Sequence, residues 1–190
     1  MNTNTSEFIE ESTVSFWSVV IKYGVIGGLL VVVYKYINYT TFFSTASMGG
    51  AIAAFLINLL LFGGLIYLAT KEHRDQQLGG YLTMGRAIVV GIFTVLFASV
   101  IGGVFDYIYM AFIDPEIQVK LSRNLTWMYE IMGLDEDQIE DAMDAVEETQ
   151  MKPSIFTAIG GAAFGGAMTG VILSAIVGAI MKKNPPKEEF

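Results

Sequence analysis

Residues 155–181 read IFTAIGGAAFGGAMTGVILSAIVGAIM, a run of 27 positions without a charged side chain. About 20 helical residues cross the roughly 30 Å hydrocarbon core of a bilayer, so this run can span a membrane with some tilt. Three further apolar runs precede it, at 16–37, 48–69 and 87–113. The sequence therefore predicts an all-α fold, an integral membrane bundle of four transmembrane helices.

Composition agrees with a membrane protein and narrows its chemistry. Of the 190 residues, 53% are hydrophobic and 16% are charged, whereas a soluble domain carries about 25% charged residues. The chain has no cysteine, which excludes disulfides and thiolate metal sites, and His73 is its single histidine. We therefore expect no catalytic residues, no metal site and no cofactor, and a protein that is not an enzyme.

The net charge of −8 comes from one segment. Residues 114–153 hold eleven acidic and three basic side chains, and the rest of the chain is balanced. Such an acidic segment argues against binding to nucleic acid. Because it lies between the third and fourth apolar runs, we expect it outside the membrane.

The same segment has the pattern of an amphipathic helical hairpin. Asp114 and Pro115 predict a helix start, Gly133 predicts its end, and Asp135 with Gln138 resembles a capping box for a second helix. Apolar residues recur at three- and four-residue steps in both halves. The acidic residues of the second half fit a solvated face better than a cation site or a dock for a basic partner; they are Glu136, Asp137, Glu140, Asp141, Asp144, Glu147 and Glu148.

The charge distribution also predicts an orientation. With the amino terminus inside, the cytoplasmic segments hold six Lys and Arg residues and the outer segments hold four, which follows the positive-inside rule. We expect both termini in the cytoplasm and the first span to act as an uncleaved anchor. The predicted division is a polar cytoplasmic segment, three spans, an acidic outer hairpin, a fourth span and a cytoplasmic tail, at 1–15, 16–113, 114–153, 154–183 and 184–190.

Small residues repeat every four positions along the fourth span, at Ala162, Gly166, Gly170, Ser174 and Gly178. Such a stripe lets another helix backbone approach closely. One interpretation is a subunit interface. The favoured one is packing against the first or second span of the same chain, where small faces are offered by Gly24, Gly28, Gly49, Gly50, Ala53 and Ala54.

Few polar groups fall inside the predicted spans. Asn58 lies near the middle of the second span, where it either contacts a ligand or bonds to another helix. Lys35 and Asp106 lie near the outer ends of their spans and are expected to pair. A transporter needs converging polar groups or broken helices at the midplane. Besides Asn58, only the glycine pairs 102–103 and 165–166 offer this.

The connection between the second and third spans reads RDQQLGGYLTMGRA, residues 74–87, and is followed by Gly91. It resembles the bacterial family called domain of unknown function forty-one ninety-nine, and the likeness extends from about Lys22 to Lys183. The resemblance implies a small four-span protein of the bacterial inner membrane with no assigned activity. Its motif positions in this chain are Arg74, Asp75, Gly79, Gly80 and Gly85.

Physical chemistry suggests a structural role for that connection. Gly79 and Gly80 permit a tight turn with positive φ. Leu78, Tyr81, Leu82 and Met84 are expected on the membrane interface, with Arg74 and Arg86 facing anionic headgroups. A cytoplasmic docking site is the alternative.

Together these patterns predict a non-enzymatic accessory or interaction subunit of an inner-membrane assembly. Its partners would be the lipid bilayer and either another membrane protein or a second copy of the chain, with no nucleic acid. The alternative is a small oligomeric transporter or channel.

Overall fold

The computed structural model describes residues 11–150 and 154–184, in which the regular structure is helical apart from one isolated bridge between two residues. Its six α-helices are α1 Trp17–Thr41, α2 Met48–Glu72, α3 Met84–Ile108, α4 Ile117–Ile131, α5 Glu136–Gln150 and α6 Ile155–Met181. A 3₁₀ turn at Glu11–Thr13 precedes α1, and π-helical turns at His73–Gln77 and Tyr109–Ile113 extend α2 and α3.

Four helices, α1, α2, α3 and α6, are long and apolar enough to cross a membrane, which confirms the predicted all-α fold with four spans. The bounds of α6 agree with the predicted run, whereas α1 and α2 continue past their predicted ends at residues 37 and 69. A helix satisfies its backbone hydrogen bonds within its own segment, so it continues beyond the hydrocarbon into more polar sequence.

The third span, α3, is the central helix of the bundle and packs against α1, α2 and α6. Glycines on α1 allow the first of these contacts. A Cβ at Gly24 would lie 2.6 Å from Cβ of Phe97, and one at Gly28 would lie 2.5 Å from Cδ1 of Ile101. Both glycines therefore belong to the α1–α3 contact.

The small-residue stripe of α6 lies against α3 of the same chain. A Cβ at Gly170 would come within 3.1 Å of the Ile92 Cα atom, and one at Gly166 within 2.4 Å of the Ser99 hydroxyl. At Gly178 the nearest atom is Cβ of Ala87, at 3.3 Å. These distances leave little or no room for a side chain, so the stripe brings two backbones together.

The partner of the stripe corrects the sequence expectation. We expected the first or second span, but α3 supplies the complementary small positions: Gly91 receives Ser174, and Gly103 receives Ala162. Gly24 and Gly28 of α1 are occupied by α3, and Gly50 of α2 lies against the Phe43 carbonyl. These three glycines are thus used in contacts other than the one with the stripe.

Along the chain, the helices α4 and α5 come after α3 and before α6, and they pack on each other. Gly133 adopts a φ of 82° directly after α4, as its predicted role as a helix stop requires. Asp135 and Gln138 form the predicted reciprocal bonds, at 2.8 and 3.2 Å. The expected end of the segment at residues 152–153 lies outside the described residues.

The start of α4 differs from the prediction. The helix begins at Ile117 and not at Pro115, because the Asp114 carboxylate accepts bonds from the Glu116 N–H at 3.2 Å and from the Lys120 ammonium at 2.8 Å. The latter bond raises the pKa of Lys120 above its usual value.

Candidate functional site

Four polar side chains from three different helices line one cavity inside the bundle. Tyr34 and Lys35 come from α1, Asn58 from α2 and Ser99 from α3. The cavity has a volume of about 220 Å³. Its wall is completed by Val31, Phe62, Ala162, Gly165 and Gly166.

The cavity lies inside the spans, about 9–16 Å from the end of the bundle at which α1 connects to α2. Lys35 is six residues, or about 9 Å, from the nearer end of α1, and Asn58 is ten residues, or about 15 Å, from the start of α2. Gly166 lies eleven residues, about 16 Å, into α6. Polar groups at such a depth have little access to water, so each needs a partner from the protein or from a ligand.

Lys35 forms an ion pair with Asp106 of α3, as the sequence predicts. The Tyr39 hydroxyl donates a second hydrogen bond to the Asp106 carboxylate, at 2.8 Å. An ammonium group has three donors, and Asp106 accepts from it through one oxygen. Asp106 is absent from the cavity wall, so the charged residue that lines the cavity is Lys35.

Asn58 has one hydrogen bond within its own helix, because its amide nitrogen donates to the Ala54 carbonyl at 2.9 Å. The Asn58 side chain also interacts with the Tyr34 hydroxyl of α1, a contact between two helices as the second interpretation of the sequence expects. Ser99, Gly165 and Gly166 form another part of the cavity wall. Ser99 fits where Gly166 has no Cβ, and a Cβ at Gly165 would meet open space.

The glycine pairs do not break their helices. The α-helix α3 continues through residues 102–103, and α6 continues through residues 165–166. Gly102 instead makes room for the first span, because its Cβ would lie 2.7 Å from Cγ1 of Val31 and 3.3 Å from Cε of Lys35. The converging polar groups expected of a transporter are present, and broken helices are absent from these two spans.

The connection between α2 and α3 forms the opposite end of the bundle, here called the loop end: Val14, residues 73–86 and Lys183. Gly79 and Gly80 have φ values of 63° and 92°, as the predicted turn requires, and the Gly80 N–H bonds to the Arg74 carbonyl at 2.9 Å. Leu82 pairs through both backbone groups with Lys183. A Cβ at Gly85 would meet open space, so close packing does not explain that glycine.

The arginines of the loop end point into the protein and not towards headgroups, which corrects the sequence expectation. Arg86 donates from Nε to Nε2 of His73 at 3.0 Å and from Nη2 to the Val14 carbonyl, and its guanidinium lies 4.8 Å above the Phe16 ring. Arg74 donates to the Met181 carbonyl at 3.2 Å, at the end of α6. Carbonyls at a helix end carry partial negative charge and attract a cation.

Leu78 and Leu82 also differ from the expectation. Both are fully buried, in a cluster with Ala87 and Val14, and not spread on the membrane interface. Leu78 and Leu82 therefore belong to a small core that Val14 of the amino-terminal segment covers, whereas Met84 is exposed.

His73 is fully buried and links three helices. A guanidinium group only donates, so Nε2 of His73 accepts from Arg86 and the proton lies on Nδ1. Nδ1 lies 2.7 Å from Oε1 of Gln77, whose amide nitrogen donates to the Ser18 hydroxyl at 3.0 Å. This donor order makes His73 neutral.

Sequence reasoning did not identify this network or its neighbours. Glu11 accepts from the Thr83 N–H at 2.5 Å and from the Thr83 hydroxyl at 2.7 Å, at the start of α3. Lys22 bonds to Glu72 at 2.6 Å. Two sequence features belong to these contacts, the single histidine near Arg86 and the helix N-cap at Thr83. Neither feature indicates which residue it bonds to.

The described residues contain no group of three or more His, Asp or Glu side chains that could hold a metal ion.

The match to a known protein family covers the same residues as the resemblance inferred from the sequence. Residues 22–183 match the family described as "Protein of unknown function (DUF4199)". The chain belongs to this family. The resemblance inferred from residues 74–87 is thereby confirmed. The DUF4199 region runs from Lys22 in α1 to Lys183 after α6, and so includes the cavity and most of the loop end. No curated protein and no solved structure matches the chain.

Proposed function

We propose that this protein is a non-enzymatic accessory or interaction subunit of a bacterial inner-membrane assembly, and that it docks its partner through α4 and α5. Four spans and membership of DUF4199 support a membrane role. The docking proposal rests on one observation, an uncovered apolar row on α4.

The helix α4 has two apolar faces. Ile117 is fully buried, and its row continues through the half-buried Leu121, Leu125 and Met128. A second row is exposed: Val119, Trp127 and Ile131 expose 54%, 41% and 55% of their surface. Aromatic and aliphatic residues grouped on a surface are typical of interaction sites.

The link between α4 and the spans suits a docking element. Asn124 donates to the Thr45 hydroxyl, at 3.1 Å, in the connection between α1 and α2. The acidic first turn of α5, with Glu136 and Asp137, lies in the second helix of the pair. A partner with an apolar surface and a basic rim would fit both helices.

Photo-crosslinking tests this proposal in cells. A photoreactive amino acid at Trp127 or Ile131 should give a protein adduct of the same mass from both positions, since both lie in the exposed row. Phe164 of α6, which is 72% exposed, is the matched control on a span. Lipid adducts alone at all three positions would show that the row lies on the bilayer and would reject docking.

The proposed orientation puts both ends of the chain in the cytoplasm. It is supported by the meeting of Val14 and Lys183 at the loop end together with the excess of basic residues there. Cysteines at the exposed positions Gln76 and Glu140 test it in spheroplasts with a membrane-impermeant thiol reagent. Position 140 should react and position 76 should not; the reverse pattern would invert the topology.

A small oligomeric transporter or channel is the second candidate, favoured by the convergence of Tyr34, Lys35, Asn58 and Ser99 on one cavity. The unbroken course of α3 and α6 weighs against it. A change of exposure of position 99 to thiol reagents from both sides of the membrane would support transport. Access from neither side would favour the accessory role.

A further inference from the structure

The polar cavity shares part of its wall with a second space between α2 and α6. That space has a volume of about 360 Å³, both spaces are bounded by Asn58 and Phe62, and the two together are called the groove. By residue count along α6, the stretch from Ala162 in the first space to Leu173 in the second is about 16 Å long. The groove is therefore an elongated site whose two halves differ in chemistry.

The first half offers hydrogen-bond donors and a positive charge. Lys35 lines it, while its counter-ion Asp106 lies outside the wall and also accepts from Tyr39. Tyr34, Asn58 and Ser99 add two hydroxyls and an amide. A group with several acceptor oxygens complements this set, because an ammonium has only donors to offer.

The second half is almost entirely apolar. Phe55, Leu59, Phe62, Ile172 and Leu173 line it, with Thr169 as the further polar residue beside the shared Asn58. An alkyl chain fits such a wall because dispersion contacts accumulate along its length. The volume of this second space, about 360 Å³, suits one alkyl chain better than the two chains of a phospholipid.

We propose that this groove binds a single-chain carboxylate amphiphile of the fatty-acid type. The carboxylate lies against Lys35, and the alkyl chain runs past Asn58 and Phe62 towards Leu173. Charge decides between possible occupants: Lys35 disfavours a cationic amphiphile, and a neutral one offers the remaining donors of Lys35 a weaker acceptor than a carboxylate does. This site is independent of the docking surface on α4, so either proposal can fail alone.

The binding test uses the full chain in phosphatidylcholine nanodiscs and a dodecanoic acid that carries a diazirine on its alkyl chain. Photolysis should label residues 55–62 or 169–173, as mapped by mass spectrometry of the peptides. Unlabelled dodecanoic acid should compete, and its methyl ester should compete at least about tenfold more weakly, because it lacks the charge that Lys35 recognises. Equal competition by acid and ester would overturn the carboxylate assignment.

Glycine substitutions provide a matched pair for locating the site. Gly165 lines the cavity, and a Cβ there meets open space, so Gly165→Leu should fill the cavity without displacing backbone. Gly161 also has open space at its Cβ position but is not part of either wall. We expect Gly165→Leu to lower labelling about tenfold and Gly161→Leu to leave it unchanged. Equal labelling of both variants, or labelling outside the groove, would reject the site.

A charge-neutral double variant separates recognition from folding. Lys35→Gln with Asp106→Asn removes both charges together, so no buried charge is left unpaired. This variant should keep the helical circular dichroism of the parent and lose the preference for acid over methyl ester. Retention of the preference would show that Lys35 does not bind the carboxylate.

Discussion

The bundle places a partly buried cation towards each of its ends, and the surroundings of the two cations differ. At the loop end, Arg86 has three contacts: His73 and the Val14 carbonyl accept from it, and Phe16 covers its face. Towards the other end, Lys35 pairs with one carboxylate, that of Asp106, and lines a cavity of about 220 Å³. Arg86 is surrounded as a structural residue is, whereas Lys35 lies beside a space that a ligand can enter.

The largest effect should follow from removing Arg86. Arg86→Ala leaves Nε2 of the fully buried His73 and the Val14 carbonyl without their donor, and an unsatisfied buried polar group costs about 1–3 kcal/mol. We expect a loss of roughly 3 kcal/mol for the two groups together, measured as a lower thermal unfolding midpoint in mild detergent.

Arg86→Lys tests whether geometry or charge is responsible. A lysine ammonium cannot reproduce the planar fork that reaches two acceptors and stacks on Phe16, so this variant should recover little stability. Arg123→Ala, at an exposed position on α4, is the control and should be silent. Full recovery by lysine would mean that charge alone matters at the loop end.

The next-largest effect on stability concerns the packing contact between α3 and α6. Gly170→Leu must displace Ile92, whose Cα would lie 3.1 Å from the new Cβ, and overpacking typically costs about 1–3 kcal/mol. Gly170→Ala should be milder, and Ile172→Leu, at a site 58% exposed, should be nearly silent. Unfolding and oligomer size are both measured, by thermal melting and by native mass spectrometry.

The outcome discriminates between the two interpretations of the stripe. A destabilised monomer is expected, because the stripe lies against α3 of its own chain. Unchanged stability with loss of an oligomer would instead identify a subunit interface and contradict the observed packing.

A smaller effect is expected for the ion pair between Lys35 and Asp106. Lys35→Ala and Asp106→Ala each leave one charge without its partner, so each should destabilise more than the double change does. Polar contacts between membrane helices are worth about 0.6 kcal/mol on average and up to about 1.7 kcal/mol. A double-mutant cycle from thermal melting measures the coupling; purely additive losses would show that the pair contributes nothing.

Sequence alone predicted the spans because hydrocarbon thickness dictates their length, and it predicted the Asp135–Gln138 cap and the Gly79–Gly80 turn because these motifs are local. It also predicted the Lys35–Asp106 pair, since two opposite charges at similar depth have few other partners. It did not predict that α3 receives the stripe of α6 or that Asn58 and Ser99 share a cavity. Those facts depend on helix order and rotation, which a periodic apolar pattern leaves open.

The contacts of Arg86 were missed for a related reason. In sequence, an arginine beside a membrane span is typical of headgroup contact, and only the three-dimensional structure brings His73 and Val14 to it. The same limit applies to Glu11, which caps α3 from a segment 72 residues away in sequence.

The smallest effect should come from Lys22, a third cation, which bonds to Glu72 at 2.6 Å with its own side chain 51% exposed. Exposed ion pairs contribute little because water and salt screen them and because two long side chains must be ordered. In Lys22→Ala the Glu72 carboxylate keeps the Tyr23 hydroxyl, which donates to it at 2.8 Å. We therefore expect no resolvable change in the thermal unfolding midpoint, in contrast to Arg86→Ala at the same end of the bundle. Glu72→Gln is the companion variant, because it retains an acceptor for Tyr23 while removing the charge, and it should also be silent. If Lys22→Ala destabilised the protein as much as Arg86→Ala does, net charge at the loop end would be the stabilising factor, and the enclosed hydrogen-bond network around His73 would not.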